Sequence, residues 1–220
     1  MQAVPINADL ERRAVVDGSV VPWQDSPMPG VQRRMLERDG GEQASATSIF
    51  RYAPGSRFSP HVHGGGEELF VLDGVFEDEL GTYGPGTYIK NSPGSAHAPA
   101  SAQGCVLWVK LRHLAEDDRE RLVVDTQASA WRPGLVPGLS VLSLSSYGTE
   151  HTALVRWAPG TYFQRHRHVG GEEIYVLSGV FEDEHGRYPA GHWLRSPHMS
   201  QHTPFSREGC TILVKTGHLA

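Results

Sequence analysis

Cysteine is nearly missing from this chain: Cys105 and Cys210 are the only two among 220 residues. Two are too few for the disulfide framework that supports small secreted folds, so a reducing compartment and buried, structural thiols are expected. Long apolar runs are missing as well. No segment approaches the roughly 20 apolar residues that span a bilayer, and the opening MQAVPINADLERR lacks the apolar centre of a signal peptide. The expectation is a soluble, cytoplasmic protein without a membrane partner. Basic clusters are absent too: the 20 Lys and Arg are scattered and outnumbered by 25 Asp and Glu, for a net charge of −5. Nothing supplies the basic stripe that phosphate backbones require, which argues against nucleic acid as a direct ligand. Helical caps followed by 3.6-residue periodicity are scarce, whereas 25 Gly and 15 Pro punctuate short apolar runs. That balance gives an all-β class, with many short strands joined by tight turns.

What is present is one sequence written twice. The segment APGSRFSPHVHGGGEELFVLDGVFEDELGTYGPGTY from Ala53 aligns without a gap to APGTYFQRHRHVGGEEIYVLSGVFEDEHGRYPAGHW from Ala158, an offset of 105 residues. The offset persists to Gly104-Cys105 and Gly209-Cys210, each followed by an apolar run. Upstream, Trp23 and Gly30 match Trp131 and Gly138, and the first copy then carries three extra residues, expected in a surface loop. The chain therefore divides into an N-terminal domain, 1–113, and a C-terminal domain, 114–220, with the charged stretch 111–127 read as a solvated linker in preference to a short helix. Glu68–Leu72 reads as a fully buried strand and Ala153–Trp157 as another. Short strands at intervals near ten residues point to a barrel or sandwich, in which closure removes exposed edges.

The chemistry lies in the repeated histidines. His61, His63, Glu67 and His97 in the first copy become His166, His168, Glu172 and His202 in the second, all at the same offset. Residues i and i+2 of a strand face the same side, so both imidazoles of each His-x-His enter the barrel together and can share an ion. The glycines that follow, Gly64-Gly65-Gly66 and Gly170-Gly171, let the chain reverse and return a glutamate beside the histidines. Glu68 and Glu173 are alternative carboxylates; alternation turns them to the opposite face, where an outer-shell or ion-pair role is expected. His185, His192 and His198 have no counterparts in the first copy and read as loop or surface residues. Trp108, Phe58 and Phe163 read as core or pocket aromatics.

These residues resemble the two motifs of the cupin superfamily, Gly-x5-His-x-His-x3-Glu-x6-Gly and a Gly- and Pro-containing segment ending in His. The first is complete in both copies. The second, Gly86 to Pro93 to His97 and Gly191 to Pro197 to His202, has the spacing of the ChrR-type cupins, and the resemblance runs from about Trp23 onward. It implies two tandem jelly-roll β-barrels, each with a divalent transition metal held by three histidines and one glutamate, hence two ions per chain. Relatives in this group include the zinc-binding cupin half of the ChrR anti-sigma factor and iron dioxygenases that cleave acetylacetone or dihydroxyacetophenone. Three readings follow. The first is an Fe(II) dioxygenase acting on a small diketone or phenolic ketone. The second is a non-catalytic zinc cupin with a sensory or regulatory role. The third is a ligand-binding or assembly protein. Zinc and iron lead among the metals, with nickel, manganese and copper open at such a site. A homodimer is the assembly implied. The helical zinc domain by which ChrR holds its sigma factor has no counterpart before Trp23, so direct sigma-factor binding is not expected.

Overall fold

The computed structural model describes residues 5–219. Among the described residues there is no α-helix, and none long and apolar enough to cross a membrane. The chain forms two compact units of the same all-β architecture, each a jelly-roll of two facing sheets with the core between them.

In the first unit the larger sheet runs, in spatial order, Leu122–Asp125, Thr87–Asn91, Glu67–Gly74, Cys105–Leu111, Ala46–Tyr52, Val31–Arg38 and Gln24–Asp25, with every neighbouring pair antiparallel. Its inner face alternates as a half-buried strand should. Leu69, Val71, Leu107, Val109, Ile89 and Phe50 point into the core, where Phe76 and Tyr83 from the smaller sheet meet them. The second unit repeats this order as Ala14–Asp17, His192–Ser196, Glu172–Asp183, Cys210–Thr216, Glu150–Trp157, Leu139–Tyr147 and Arg132–Pro133. Its core is built on Trp157, Ile174, Val176, Leu194, Ile212 and Phe181. Even the irregularities repeat: a bulge falls between Met35 and Glu37 in one unit and between Ser143 and Ser145 in the other.

The units do not divide the chain by a single cut at 113/114. Asp9–Val20 belongs to the second unit, and the first unit runs on to Ala128. The stretch read as a linker contributes the edge strand Leu122–Asp125, paired with Thr87–Lys90, and Asp118 of the same stretch is buried against Lys90 Nζ at 2.8 Å. In the second unit Ala14–Asp17 pairs with His192–Arg195 in the equivalent register. Each unit thus takes as its edge strand the segment that precedes the other repeat. The reason is in the residues: Arg13-Ala-Val-Val-Asp17 and Arg121-Leu-Val-Val-Asp125 are the same strand at an offset of 108, the offset of Trp23 and Trp131. A β-branched pair suits an edge strand far better than a solvated connector.

The three-residue difference lies in residues 39–45, which join Val31–Arg38 to Ala46–Tyr52; the second unit makes the same hairpin through Gly148-Thr149.

Candidate metal centres

A two-stranded ribbon sets each histidine cluster. His61 lies directly opposite His97, and His166 opposite His202. His63 follows His61 on the same face, while Val62 between them turns outward and is 61% exposed, as strand alternation requires. Past His63 the chain turns at Gly66, at φ +72°, and begins the strand Glu67–Gly74, with Gly171 at φ +70° in the second copy. Only glycine adopts that conformation freely. A side chain there would also meet Leu114 or Leu219.

The ring nitrogens of His61, His63 and His97 come within 4.8 Å of one another, and so do those of His166, His168 and His202. Glu67 Oε2 stands 3.8 Å from His63 Nε2 and 3.7 Å from His97 Nε2; Glu172 Oε2 stands 3.6 Å from both His168 Nε2 and His202 Nε2. All eight residues singled out by the repeat are therefore brought together, four to each unit.

Hydrogen bonds at the far side of the rings decide which nitrogen is available. His61 Nδ1 faces the carbonyl oxygen of Ser59 at 3.1 Å, and His166 Nδ1 that of Gln164 at 3.0 Å. A carbonyl only accepts, so Nδ1 carries the proton and Nε2 keeps its lone pair. Asp78 does the same for His97 Nδ1 at 3.4 Å, and Asp183 for His202 Nδ1 at 3.5 Å. The freed nitrogens point inward, and His63 Nε2 and His97 Nε2 are buried without any hydrogen-bond partner. Buried polar atoms of that kind are costly unless something binds them. In the second unit His168 Nε2 and His202 Nε2 are 3.0 Å apart, a spacing suited to two nitrogens that share one ion at about 2.1 Å each. The donor set and its unpartnered nitrogens fit a divalent transition metal.

Electrostatics prepares the same state. Burial, reinforced by neighbouring histidines, pushes His63 down to about 4 and His168 down to about 3, so both are neutral at pH 7 and a metal displaces no proton from them. Burial lifts Glu172 to about 7 in the absence of a cation. Against the cost of burial, hydrogen bonds from His202, the His185 amide and Tyr188 hold Asp183 down at about 2, fixing it as a charged acceptor.

The pH dependence of the metal-free protein follows. His63 and His97 lie below the ordinary imidazole value in the folded chain, so the unfolded chain takes up protons first as pH falls through about 6.5. Their contribution therefore destabilises the fold on acidification. The raised Glu172 acts in the opposite sense between about 4.5 and 7. Metal-free His63→Gln is expected to lose less stability between pH 7 and 5 than metal-free wild type, measured by urea midpoints. An equal or larger loss contradicts the shift.

Sequence reading missed a residue in each centre. Arg13 Nη2 donates to Tyr188 OH at 2.7 Å and to Asp183 Oδ2 at 3.2 Å; Arg121 Nη2 donates to Tyr83 OH at 3.0 Å and lies 3.8 Å from Asp78 Oδ2. The edge strand thus delivers an arginine onto the aspartate that orients a histidine. The matching RxVVD segments at offset 108 were the available signal. Outer-shell partners of metal-bound histidine typically affect affinity by about 10- to 100-fold. Asp78→Asn and Asp183→Asn are each expected to weaken metal affinity within that range, read by chelator competition, and Arg121→Met or Arg13→Met by less.

Glu68 and Glu173 face away from the cluster, as alternation required. Glu68 accepts from Tyr88 OH and meets His113 Nε2 at 2.7 Å, while Glu173 accepts from Trp193 Nε1 at 2.7 Å and meets His218 Nε2 at 3.2 Å. His185 and His198 are exposed and His192 is half-buried on its strand; none joins a triad. Cys105 and Cys210 are free and buried, and burial pushes both thiols up to about 11.

In the first unit the cluster opens on a cavity of about 440 Å³. Phe50, Phe58, Leu69, Phe76, Leu107 and Val109 wall it, and Arg33, Arg38, Glu42 and Arg112 also line it. Trp108 is buried in the sheet, and Phe163 packs edge-on against His166 at 4.9 Å.

Among solved structures, a protein of Nostoc punctiforme named as a proposed dioxygenase superposes with a TM-score of 0.79 at 14% identity, covering 95% of this chain and 84% of that one. Protein YlbA of E. coli gives a TM-score of 0.72 at 16% identity over 96% and 93% of the two chains. An oxalate decarboxylase of Lactobacillus farciminis gives 0.64 at 15% identity over 99% and 90%. At such identities the likeness is one of fold. Among curated proteins no relative matches the chain. The family model described as the ChrR cupin-like domain matches residues 11–115 and again 119–220, nearly the whole chain. With two cupin barrels and a histidine triad in each, this chain belongs to the ChrR cupin-like family.

Proposed function

We propose that this chain is a metal-dependent, oxygen-using enzyme of the cupin type, with iron(II) bound by His61, His63, His97 and Glu67 and a second ion bound by His166, His168, His202 and Glu172. The observation that carries the reading is the cavity of about 440 Å³ onto which the first cluster opens. A purely structural or sensory zinc site is closed by four protein ligands and needs no such space. A cavity of this size, apolar over most of its wall and polar at a few points, is what a small-molecule site requires. When bound, a metal with four protein ligands and room for more supplies a template and redox centre for a chelating substrate and dioxygen. The protein's own part is to fix the tautomers of His61 and His97 through the Ser59 carbonyl and Asp78, to hold His63 buried beside them, to keep the carboxylate of Glu67 next to the rings through the Asn91 Nδ2 hydrogen bond at 3.1 Å, and to exclude bulk water with Phe58, Phe76 and Leu107.

Small enolisable ketones and β-diketones are the substrate class of the resemblance. The test is oxygen uptake by iron-loaded protein over a panel of such compounds. Uptake that is absent from zinc-loaded protein and from His63→Ala is the expected result. No uptake with any of them, in protein that retains its iron, would argue for the sensory reading.

A further inference from the structure

The two units share metal-binding residues but not their surroundings, and that contrast inside one chain isolates what serves something else. Arg33, Arg38 and Arg112 line the first unit's cavity. By strand register Arg33 pairs with Phe50 as Val141 pairs with Val155, and Arg38 pairs with Ala46 as Ser146 pairs with His151; Arg112 corresponds to Gly217 at the 105-residue offset. The second unit therefore folds and assembles its histidine triad with no arginine at any of the three positions. Neither the barrel nor the metal site needs them.

They are expensive residues to keep there. Arg33 is 9% exposed and Arg38 5%, and the Nε of each is buried without a hydrogen-bond partner. Burying a guanidinium costs free energy unless an anion and hydrogen bonds compensate it. One carboxylate is at hand: Glu42, on the longer 39–45 connection of the first unit, takes Arg33 Nη1 at 2.7 Å and Nη2 at 2.5 Å. The Arg38 guanidinium donates to the Gly41 carbonyl oxygen, at 2.5 Å, and to no carboxylate among the described residues, and Arg112 donates to the neutral Gln43. Burial, with the charge of Arg33 added, presses Arg38 below its ordinary value, and the charge of Glu42, already held by Arg33, offsets this only in part. Three guanidiniums thus share the cavity with Glu42 and, beside the histidines, Glu67.

We propose that this cavity receives a small organic acid, its carboxylate taken by Arg33 and Arg38, its apolar body lying along Phe50, Leu69 and Val109, and its other end turned to the histidine cluster. The inference rests on the reading of the first centre as a small-molecule site and adds the charge class of what enters it. The second unit, with Val141, Ser146 and Gly217 in place of the arginines, has no such subsite. The chain therefore takes one acid, not two.

The test is calorimetric titration of the full zinc-loaded chain with benzoate and with benzamide, which match in shape and differ in charge. Expected are one benzoate per chain and benzamide weaker by at least about tenfold, as loss of a charge-assisted hydrogen bond implies. Arg38→Met, with metal content and melting curve unchanged, should weaken benzoate by at least about tenfold. Equal affinity for the two probes, two benzoates per chain, no benzoate binding, or an Arg38→Met that binds benzoate as well as wild type would each overturn the proposal. The wild-type comparison needs no variant to fold. Benzoate binding without oxygen uptake on any acid or ketone would sink the enzymatic reading and leave the subsite standing. Oxygen uptake on neutral ketones alone, with no benzoate binding, would do the reverse.

Discussion

The double variant His63→Ala/His168→Ala is expected to hold essentially no metal, where wild type is expected to hold two ions per chain. Each histidine supplies an inward Nε2 within 4 Å of the carboxylate beside it, and His63 Nε2 has no other partner. With one removed, two imidazoles and a carboxylate remain around a gap that the alanine cannot fill. Ligand loss also removes stability, because an ion that binds only the folded state contributes RT ln(1 + [M]/Kd), about 4 kcal/mol at a thousandfold excess over Kd. Adding metal should therefore raise the melting temperature of wild type and leave that of the double variant in place. Each single variant should keep one ion, since the two clusters lie in separate units. Elemental analysis with thermal melts reads both effects. Two ions retained in the double variant would contradict the assignment of the residues.

The second large effect concerns the glycine that closes the histidine motif. Gly74 and Gly179 sit at φ +71° and +70°, and a Cβ on either would stand 2.1 or 2.0 Å from the carbonyl oxygen of Gly104 or Gly209. The obstacle is backbone of the neighbouring strand, so no side-chain rotation relieves it. Conformational strain and the clash together should cost about 3 kcal/mol or more for Gly74→Ala or Gly179→Ala. For a unit of this size that lowers the melting temperature by roughly 10 °C or more. Gly55→Ala serves as the comparison: at φ +80° it carries the conformational penalty, yet nothing lies within 4 Å of its Cβ. A Gly74→Ala protein as stable as Gly55→Ala would refute the account of that position.

How much of this was legible in the sequence depends on how local the determining pattern is. The barrels and their histidine clusters were legible because strand alternation fixes His61 and His63 on one face, and because an unbroken 105-residue register ties eight potential ligands together. The division of labour between Glu67 and Glu68 followed from the same alternation. The edge strands were not legible, since Leu122–Asp125 is only four residues long and sits in a charged stretch, and its partner Thr87–Asn91 is distant in sequence. Which strand joins which sheet is a tertiary decision. Arg13 and Arg121 were missed with those strands. The arginine-lined cavity was hidden for another reason: no local pattern tells a buried arginine from a solvent-facing one on a strand, and only the closed fold shows that Arg33 and Arg38 are buried.

Each repeat is expected to hold its own ion, and anomalous diffraction from crystals of wild-type protein, purified without chelators, tests that most directly. Two peaks per chain are predicted, one within about 2.0–2.3 Å of nitrogens from His61, His63 and His97 and an oxygen of Glu67, the other equally placed on His166, His168, His202 and Glu172. Peaks on other residues, or none in crystals grown with excess zinc or iron, would contradict it.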